Sequence, residues 1–282
     1  DRSTGGCSFC DEFGSTAAYN RDGRSGVSGS DLAGRIQWIE DQIVRGTEFL
    51  ERRYNSKSFI LYYQAFSSTN GDVAELKALY DAGLQVRAFK ELVVSTRPDC
   101  ITPEVAALLG AYRRKGYPVW VELGLQSACD DTLIRINRGH EVSQFDDALS
   151  ILRDQGILVA AHVIFGLPGE GRDQAAGTIE YLADRRIDGI KIHDLHIPKN
   201  SVLFQEFVRG ELSMASHVRH LSYVVDAIER LPPETVIMRL TCDTPAKHRA
   251  LPVNPVRKAV FVRRVQEELE ARGTWQGKRY KS

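Results

Sequence analysis

Two cysteines with CxxC spacing, Cys7 and Cys10, stand behind Gly5-Gly6 near the start of the chain. A turn of this kind lets two thiolates close around one soft metal centre. The same spacing serves half a zinc site, a redox pair or an iron–sulfur cluster, because each needs two neighbouring thiolates. No second CxxC or CxxH completes a tetrahedral zinc site, and no thioredoxin-like unit lies behind the motif, so the cluster reading is favoured. The remaining cysteines, Cys100, Cys129 and Cys242, are isolated. Five cysteines in 282 residues make no disulfide framework, and reduced thiols are expected.

A second group of residues stands where strands are expected to end: Gln64, Ser67 and Ser68; Arg97; Glu122 and Gln126; His162; His193 and His196. One buried polar side chain commonly just finds a backbone partner. Five successive strands ending this way suggest a polar, zwitterionic cofactor at one rim. Gly124, Gly166 and Gly169 fall at strand ends, where a missing Cβ lets a ligand approach the backbone or simply permits a turn. Arg138, in Asn137-Arg138-Gly139-His140, ends a helix near that rim and could bind a carboxylate or merely answer the helix dipole. Cys100 follows a strand end and reads either as a buried structural thiol or as a group facing the site.

The elements that must position these residues repeat. Residues 58–66 form an expected buried strand, and 72–82 an expected helix with Asp72 as N-cap, Glu75 completing a capping box and Gly83 just past the end. Strands then follow at 91–96, 118–125, 158–167 and 189–197, interleaved with helices at 103–115, 129–138, 143–155 and 170–185. Strands alternating with helices at this spacing pair in parallel through right-handed crossovers, and such barrels gather their sites at the strand C-terminal ends. A helix at 31–54 precedes the first visible strand, so a further strand is expected ahead of the cysteines, giving a six-stranded partial barrel with its first strand absent. From residue 206 a helix at 216–230, a strand at 235–241 and a helix at 256–272 read as an α+β extension, so the expected division is 1–205 and 206–282.

Composition fits a globular chain with 43% hydrophobic residues and a net charge of zero. No apolar run approaches a membrane span and no signal peptide opens the chain, which makes a cytoplasmic protein the simplest expectation. The zero conceals a basic tail: residues 245–282 hold ten Lys or Arg against three Glu, a charge of about +7.

Together the segments GGCSFC, YYQAFSST, STRPDC, WVELGLQS, INRGH, HVIFGLPGE, KIHDLHIPKNS and WQGKRY closely resemble the YhcC-type radical S-adenosylmethionine (SAM) proteins. These are similar in turn to the Elongator catalytic subunit and to oxygen-independent coproporphyrinogen oxidase. The resemblance runs nearly end to end and implies a partial (β/α)6 TIM-like barrel that binds a [4Fe-4S] cluster and SAM. It makes Cys7 and Cys10 the second and third cluster ligands, with the first cysteine and the absent strand just upstream of Asp1, so that the chain as given is expected to be inactive. It implies that Phe9 leans towards the adenine and that Tyr63-Gln64-Ala65 replaces the usual glycine-rich motif, with Gln64 or a nearby carbonyl substituting. Ser68, Arg97, Glu122, Gly124, Gln126, Arg138, His162 and Gly166 fall among the implied SAM contacts. His193 and His196 fall on the implied substrate side. The implied reaction is reductive cleavage of SAM and hydrogen abstraction from an unidentified substrate. A reduced flavodoxin or ferredoxin is the expected electron donor, and the tail with the Elongator-like relationship makes RNA a candidate partner. The competing reading keeps the barrel but uses the CxxC pair for zinc or partner contact.

Overall fold

The computed structural model describes residues 6–9, 31–64, 67–242, 249–253 and 255–281. Contacts divide the chain into two compact units. One comprises 15–122 with 147–158, and the other comprises 1–14, 123–146 and 159–282.

The first unit begins with α1 (Leu32–Tyr54), whose N-cap Asp31 accepts from the Gly34 amide at 2.9 Å and which ends on Asn55 in the left-handed region at φ 52°. The strand β1 (Leu61–Tyr63) and the helix α2 (Val73–Val86) follow. Asp72 accepts from the amides of Ala74 and Glu75, as its position ahead of an apolar periodic run predicts. Arg35 of α1 reaches Glu75 of α2 at 2.8 Å. Next come β2 (Leu92–Thr96), a short 3-10 turn, α3 (Pro103–Arg114) and the start of β3 (Val119–Gln126). β1 and β2 pair in parallel with Leu61 opposite Leu92.

Two expectations are corrected here. The first strand is three residues long, not nine, and Gly83 lies inside α2, four residues before its C-cap at Arg87. The physical reason for Gly83 is packing. A Cβ there would run into the Tyr63 hydroxyl and come within 3.1 Å of Leu61 Cδ2, so the glycine lets α2 settle on β1.

The second unit carries the end of β3, α4 (Asp130–Arg135), the start of α5 (Val142–Asp154), β4 (Leu158–Phe165) from Val159 on, α6 (Arg172–Asp184) and β5 (Gly189–Asp194). It continues through β6 (Ile197–Pro198), α7 (Val202–Val208), α8 (His217–Arg230), β7 (Val236–Arg239), β8 (Arg249–Leu251) and α9 (Lys258–Ala271). The large sheet has the order β1-β2-β3-β4-β5-β7. β4 pairs in parallel with β5, placing His162 opposite Lys191 and Ile164 opposite His193. The sixth strand is β7, from the segment read as an extension, which pairs in parallel with β5.

Alternation along the strands decides what reaches the site. In β3, Val119, Val121, Leu123 and Leu125 share one fully buried face, while Glu122, Gly124 and Gln126 share the other. In β4, Phe165 points to α8, its ring 6.2 Å from that of Tyr223, so His162 belongs to the opposite face.

Candidate cofactor site

The cysteine turn is pinned by its backbone. The Ser8 amide donates to the Ile136 carbonyl at 2.9 Å, the Ser8 carbonyl accepts from Leu203 at 3.2 Å, and Asn137 Nδ2 donates to the Gly6 carbonyl at 2.8 Å. Phe9 packs on a buried cluster that includes Ile136, Ile164 and Leu195. Asn137 at φ 51° and Gly139 at φ 75° turn the chain just beyond α4, and Arg138 is held between them.

Arg138 is buried and connects this turn to β3. Its Nη2 and Nε donate to the Gly124 carbonyl at 2.6 and 3.2 Å, and its Nη1 donates to Cys7 Sγ at 3.6 Å. Nε also donates to His140 Nε2 at 3.0 Å. His140 Nε2 faces both this donor and the Gly124 carbonyl at 3.1 Å, while Nδ1 faces the Glu141 carbonyl at 3.1 Å; a neutral ring with its proton on Nδ1 donates to Glu141 and accepts from Arg138. The carboxylate expected to meet this guanidinium is thus replaced, within the protein, by a backbone carbonyl and an imidazole.

Gly124 makes that approach possible. A Cβ here would strike Arg138 Nη2 and sit 2.8 Å from Gln126 Nε2. Gln126 itself adopts φ 72°, a left-handed conformation that costs a non-glycine residue on the order of 1 kcal/mol. Its Oε1 is buried without a partner among the described residues. The same is true of Ser8 Oγ and His162 Nε2.

His162 and His193 stand edge to face, ring centroids 4.1 Å apart. Burial pushes the His162 imidazole down to about 3, helped by the positive charges of Lys191, Arg239 and Arg138. His193 is likewise held well below its ordinary value, by burial first and then by its charged neighbours, while its Nε2 meets Arg239 Nη1 at 3.3 Å. Both rings are therefore neutral acceptors near pH 7. His196 is the opposite case. Burial opposes its protonation, but the Asp194 carboxylate at 3.0 Å and the neighbouring Cys242 thiol carry it up to about 9. Burial opposes ionisation of Asp194, but the hydrogen bond and charge of His196, with His220 and the Cys242 amide at 2.8 Å behind them, hold the carboxylate well below its usual range; Thr241 Oγ1 donates to it as well, at 2.9 Å.

The remaining expected residues are placed as follows. Glu122 accepts from the Tyr62 hydroxyl at 2.6 Å in the first unit. Gln64 is exposed. Ser68 donates to the Tyr63 carbonyl at 3.3 Å, and Arg97 makes a two-point pair with Asp99 at 2.8 and 2.7 Å. Cys100 is half-buried, its thiol pushed up by burial, and its carbonyl accepts from Thr69 at 2.8 Å. Gly166, at φ 85°, lies against Ala215, where a Cβ would come within 3.1 Å. Cys10 and Ala65 lie outside the described residues. The sequence reading did not single out Tyr62, His140, Asp194 or Arg239. Tyr62, His140 and Asp194 all stand inside quoted segments without having been singled out, and Arg239 reveals itself only through its long-range contact with His193. In the tail, Arg272 pairs with Asp226 at 3.0 Å and Arg279 with Glu229 at 2.9 Å, so part of its charge docks inward.

The donor set fits a SAM-and-cluster pair. A thiol beside a guanidinium, a Cβ-free carbonyl, an orphaned amide oxygen and an orphaned imidazole nitrogen are what a polar zwitterion next to a metal centre would engage. Among the described residues no group of three or more His, Cys, Asp or Glu side chains is gathered to hold a metal alone, and no helix is long and apolar enough to cross a membrane.

The radical SAM superfamily model matches residues 2–182, and the radical SAM C-terminal domain model matches 187–271. The chain is 33% identical over 275 residues to YtqA of Bacillus subtilis, covering 97% of this chain and 81% of YtqA. It is 34% identical over 237 residues to YhcC of Escherichia coli K12, covering 84% and 71% respectively. Among solved structures, Elp3 of the archaeon Methanocaldococcus infernus superposes with a TM-score of 0.72 at 18% identity, covering 88% of this chain and 62% of that one. At that identity the likeness carries the fold, an α/β partial barrel.

Proposed function

Because this chain belongs to the radical SAM superfamily, among the YhcC-type proteins, we propose that it binds a [4Fe-4S] cluster and SAM and uses them to abstract hydrogen from a substrate. The observation that carries this reading is the corner formed by Cys7, Arg138, Gly124 and Gln126, in which a thiol, a cation and an orphaned acceptor are assembled on glycine-opened backbone.

Cys7 and Cys10 would hold the cluster, with Phe9 packed beneath the turn. When bound, cluster and SAM supply one-electron cleavage of a sulfonium and the hydrogen-abstracting radical it yields. The chain's own residues do the positioning. Arg138 fixes the Cys7 sulfur against β3 and keeps positive charge beside it. Gln126 offers Oε1 to an ammonium or hydroxyl donor, and the neutral His162 ring offers a second acceptor without adding charge.

Anaerobic reconstitution of the full-length polypeptide, followed by iron and sulfide analysis and a 5′-deoxyadenosine assay with dithionite and SAM, tests this reading. Brown protein that releases 5′-deoxyadenosine supports it. A colourless protein holding zinc at the CxxC pair and inert towards SAM supports the adaptor reading instead.

A further inference from the structure

A cavity of about 100 Å³ lies within the second unit, at the ends of β4 and β5 where α8 and α9 pass. Of the implied SAM contacts it shares only the Gly166 backbone, and none of Cys7, Gly124, Gln126, Arg138 or His162 lines it. Phe165, Tyr223 and Phe261 supply aromatic walls, Met214 a flexible one, and His220 and Asp194 the polar edges. The rings are mutually fixed. His220 stacks on Phe261 at 5.0 Å and meets Phe165 edge-on at 6.0 Å, and Phe165 meets Tyr223 edge-on at 6.2 Å.

The chemistry of the pocket is set by one atom. His220 is 4% exposed and its Nε2 lies 2.9 Å from the Leu240 carbonyl. A carbonyl can only accept, so Nε2 carries the proton and Nδ1 presents a lone pair. That Nδ1 is buried and has no partner among the described residues. Burial keeps the ring below its ordinary pKa, so the lone pair persists near neutrality. A buried acceptor without a donor costs stability, and a wholly apolar wall would have been the cheaper construction. Size limits the occupant. An aliphatic cavity of about 150 Å³ admits benzene, so this one admits a single ring at most.

We propose that this cavity is a second binding site, for an uncharged single-ring group carrying one O–H or N–H donor, which stacks among Phe165, Tyr223 and Phe261 and donates to His220 Nδ1.

The chain has two methionines, Met214 in the cavity wall and Met238 in β7 outside it, which gives the test an internal control. Phenol is titrated into the full chain bearing 13C-methyl methionine, with toluene as the ring of similar shape that lacks a donor. Phenol should shift the Met214 methyl saturably and leave Met238 in place, and toluene should bind about fivefold more weakly, the worth of one net hydrogen bond. His220→Phe keeps an aromatic ring against Phe261 and should reduce phenol to the level of toluene. No saturable shift of Met214 would overturn the proposal, as would equal binding of phenol and toluene, or undiminished phenol binding by folded His220→Phe protein. Should that variant not fold, the ratio of phenol to toluene in the unaltered chain decides alone.

Discussion

The polar strand ends of the two units carry the same signal in the sequence and meet different fates in the structure. In the first unit they are consumed by the protein. Thr69 and Thr96 share a hydrogen bond at 2.7 Å, Ser68 and Tyr80 bind backbone carbonyls, and Arg97 is occupied by Asp99. In the second unit Ser8 Oγ, Gln126 Oε1 and His162 Nε2 are buried and unanswered among the described residues, on a backbone that holds Gln126 in a left-handed conformation. Buried polar groups normally find partners, so a unit that leaves several unmatched has shaped itself for something other than its own stability. Polarity at a strand end is therefore a weak indicator of a site, and unmatched polarity is a strong one.

The most decisive way to break this contrast is at the two thiols. Cys7→Ala should abolish SAM cleavage in the reconstituted full-length protein, by at least about a thousandfold, and remove most cluster iron, because among the described residues no group of three or more His, Cys, Asp or Glu side chains stands ready to hold the metal instead. Cys100→Ala should leave both within about twofold, since its thiol is held up by burial and its structural contact is made through the carbonyl. Iron content and 5′-deoxyadenosine release read both variants. Equal losses would erase the distinction between the units.

Arginines give the next largest effect. Arg138→Met leaves the Gly124 carbonyl and His140 without their donors in a buried corner and should cost about 3 kcal/mol in urea unfolding, since charge-assisted hydrogen bonds are worth about 1.5–3 kcal/mol each. Arg97→Met breaks a salt bridge between neighbouring residues and should cost about 1 kcal/mol or less.

The histidines sharpen the comparison within the second unit. His162, unpartnered, titrates at about 3 in the folded chain against about 6.5 unfolded, so the unfolded state binds the extra proton first. Its contribution is present above pH 6.5 and is lost as pH falls towards 3. His196, partnered by Asp194, titrates at about 9, so its contribution is present below pH 6.5 and is lost as pH rises through 9. His162→Gln should flatten the acid limb of a melting-temperature profile and His196→Gln the alkaline limb. Both variants flattening the same limb would contradict the assignment.

Much of this arrangement was legible in the sequence because it is local. Asp72 caps α2 since an aspartate directly precedes an apolar periodic run, and the alternation of β3 showed which of its residues could share a face with Gly124. What was not legible depends on residues far apart in the chain. Gly83 looks like a helix stop until Tyr63 is seen against it, and the strand at Val236–Arg239 gives no sign that its partner is β5. Asp194 reads as one polar residue of the expected strand 189–197 until His196, Thr241 and Cys242 converge on it. Cys10, the second half of the motif that opened the reading, lies outside the described residues.

The smallest expected effect carries the comparison furthest, because its sign is unusual. Gln126 combines a left-handed backbone with a buried Oε1 that is unmatched among the described residues, two features that oppose folding. Gln126→Gly removes both. Glycine adopts φ 72° without steric cost, and the orphaned oxygen is gone, while the greater freedom of glycine in the unfolded chain takes back about 0.5–1 kcal/mol. The balance should be a gain in stability of up to about 1 kcal/mol in urea unfolding, where most buried substitutions lose. The same variant should bind SAM about tenfold more weakly by equilibrium dialysis, since the acceptor it deletes is the one offered to the ligand. Ser68→Ala, the counterpart in the first unit, deletes a hydroxyl that already has its partner and should lose up to about 1 kcal/mol with SAM affinity unchanged. A Gln126→Gly protein that is less stable and binds SAM normally would mean that the strain at the end of β3 serves the fold, and the two units would then differ only in how completely their polar groups happen to be paired.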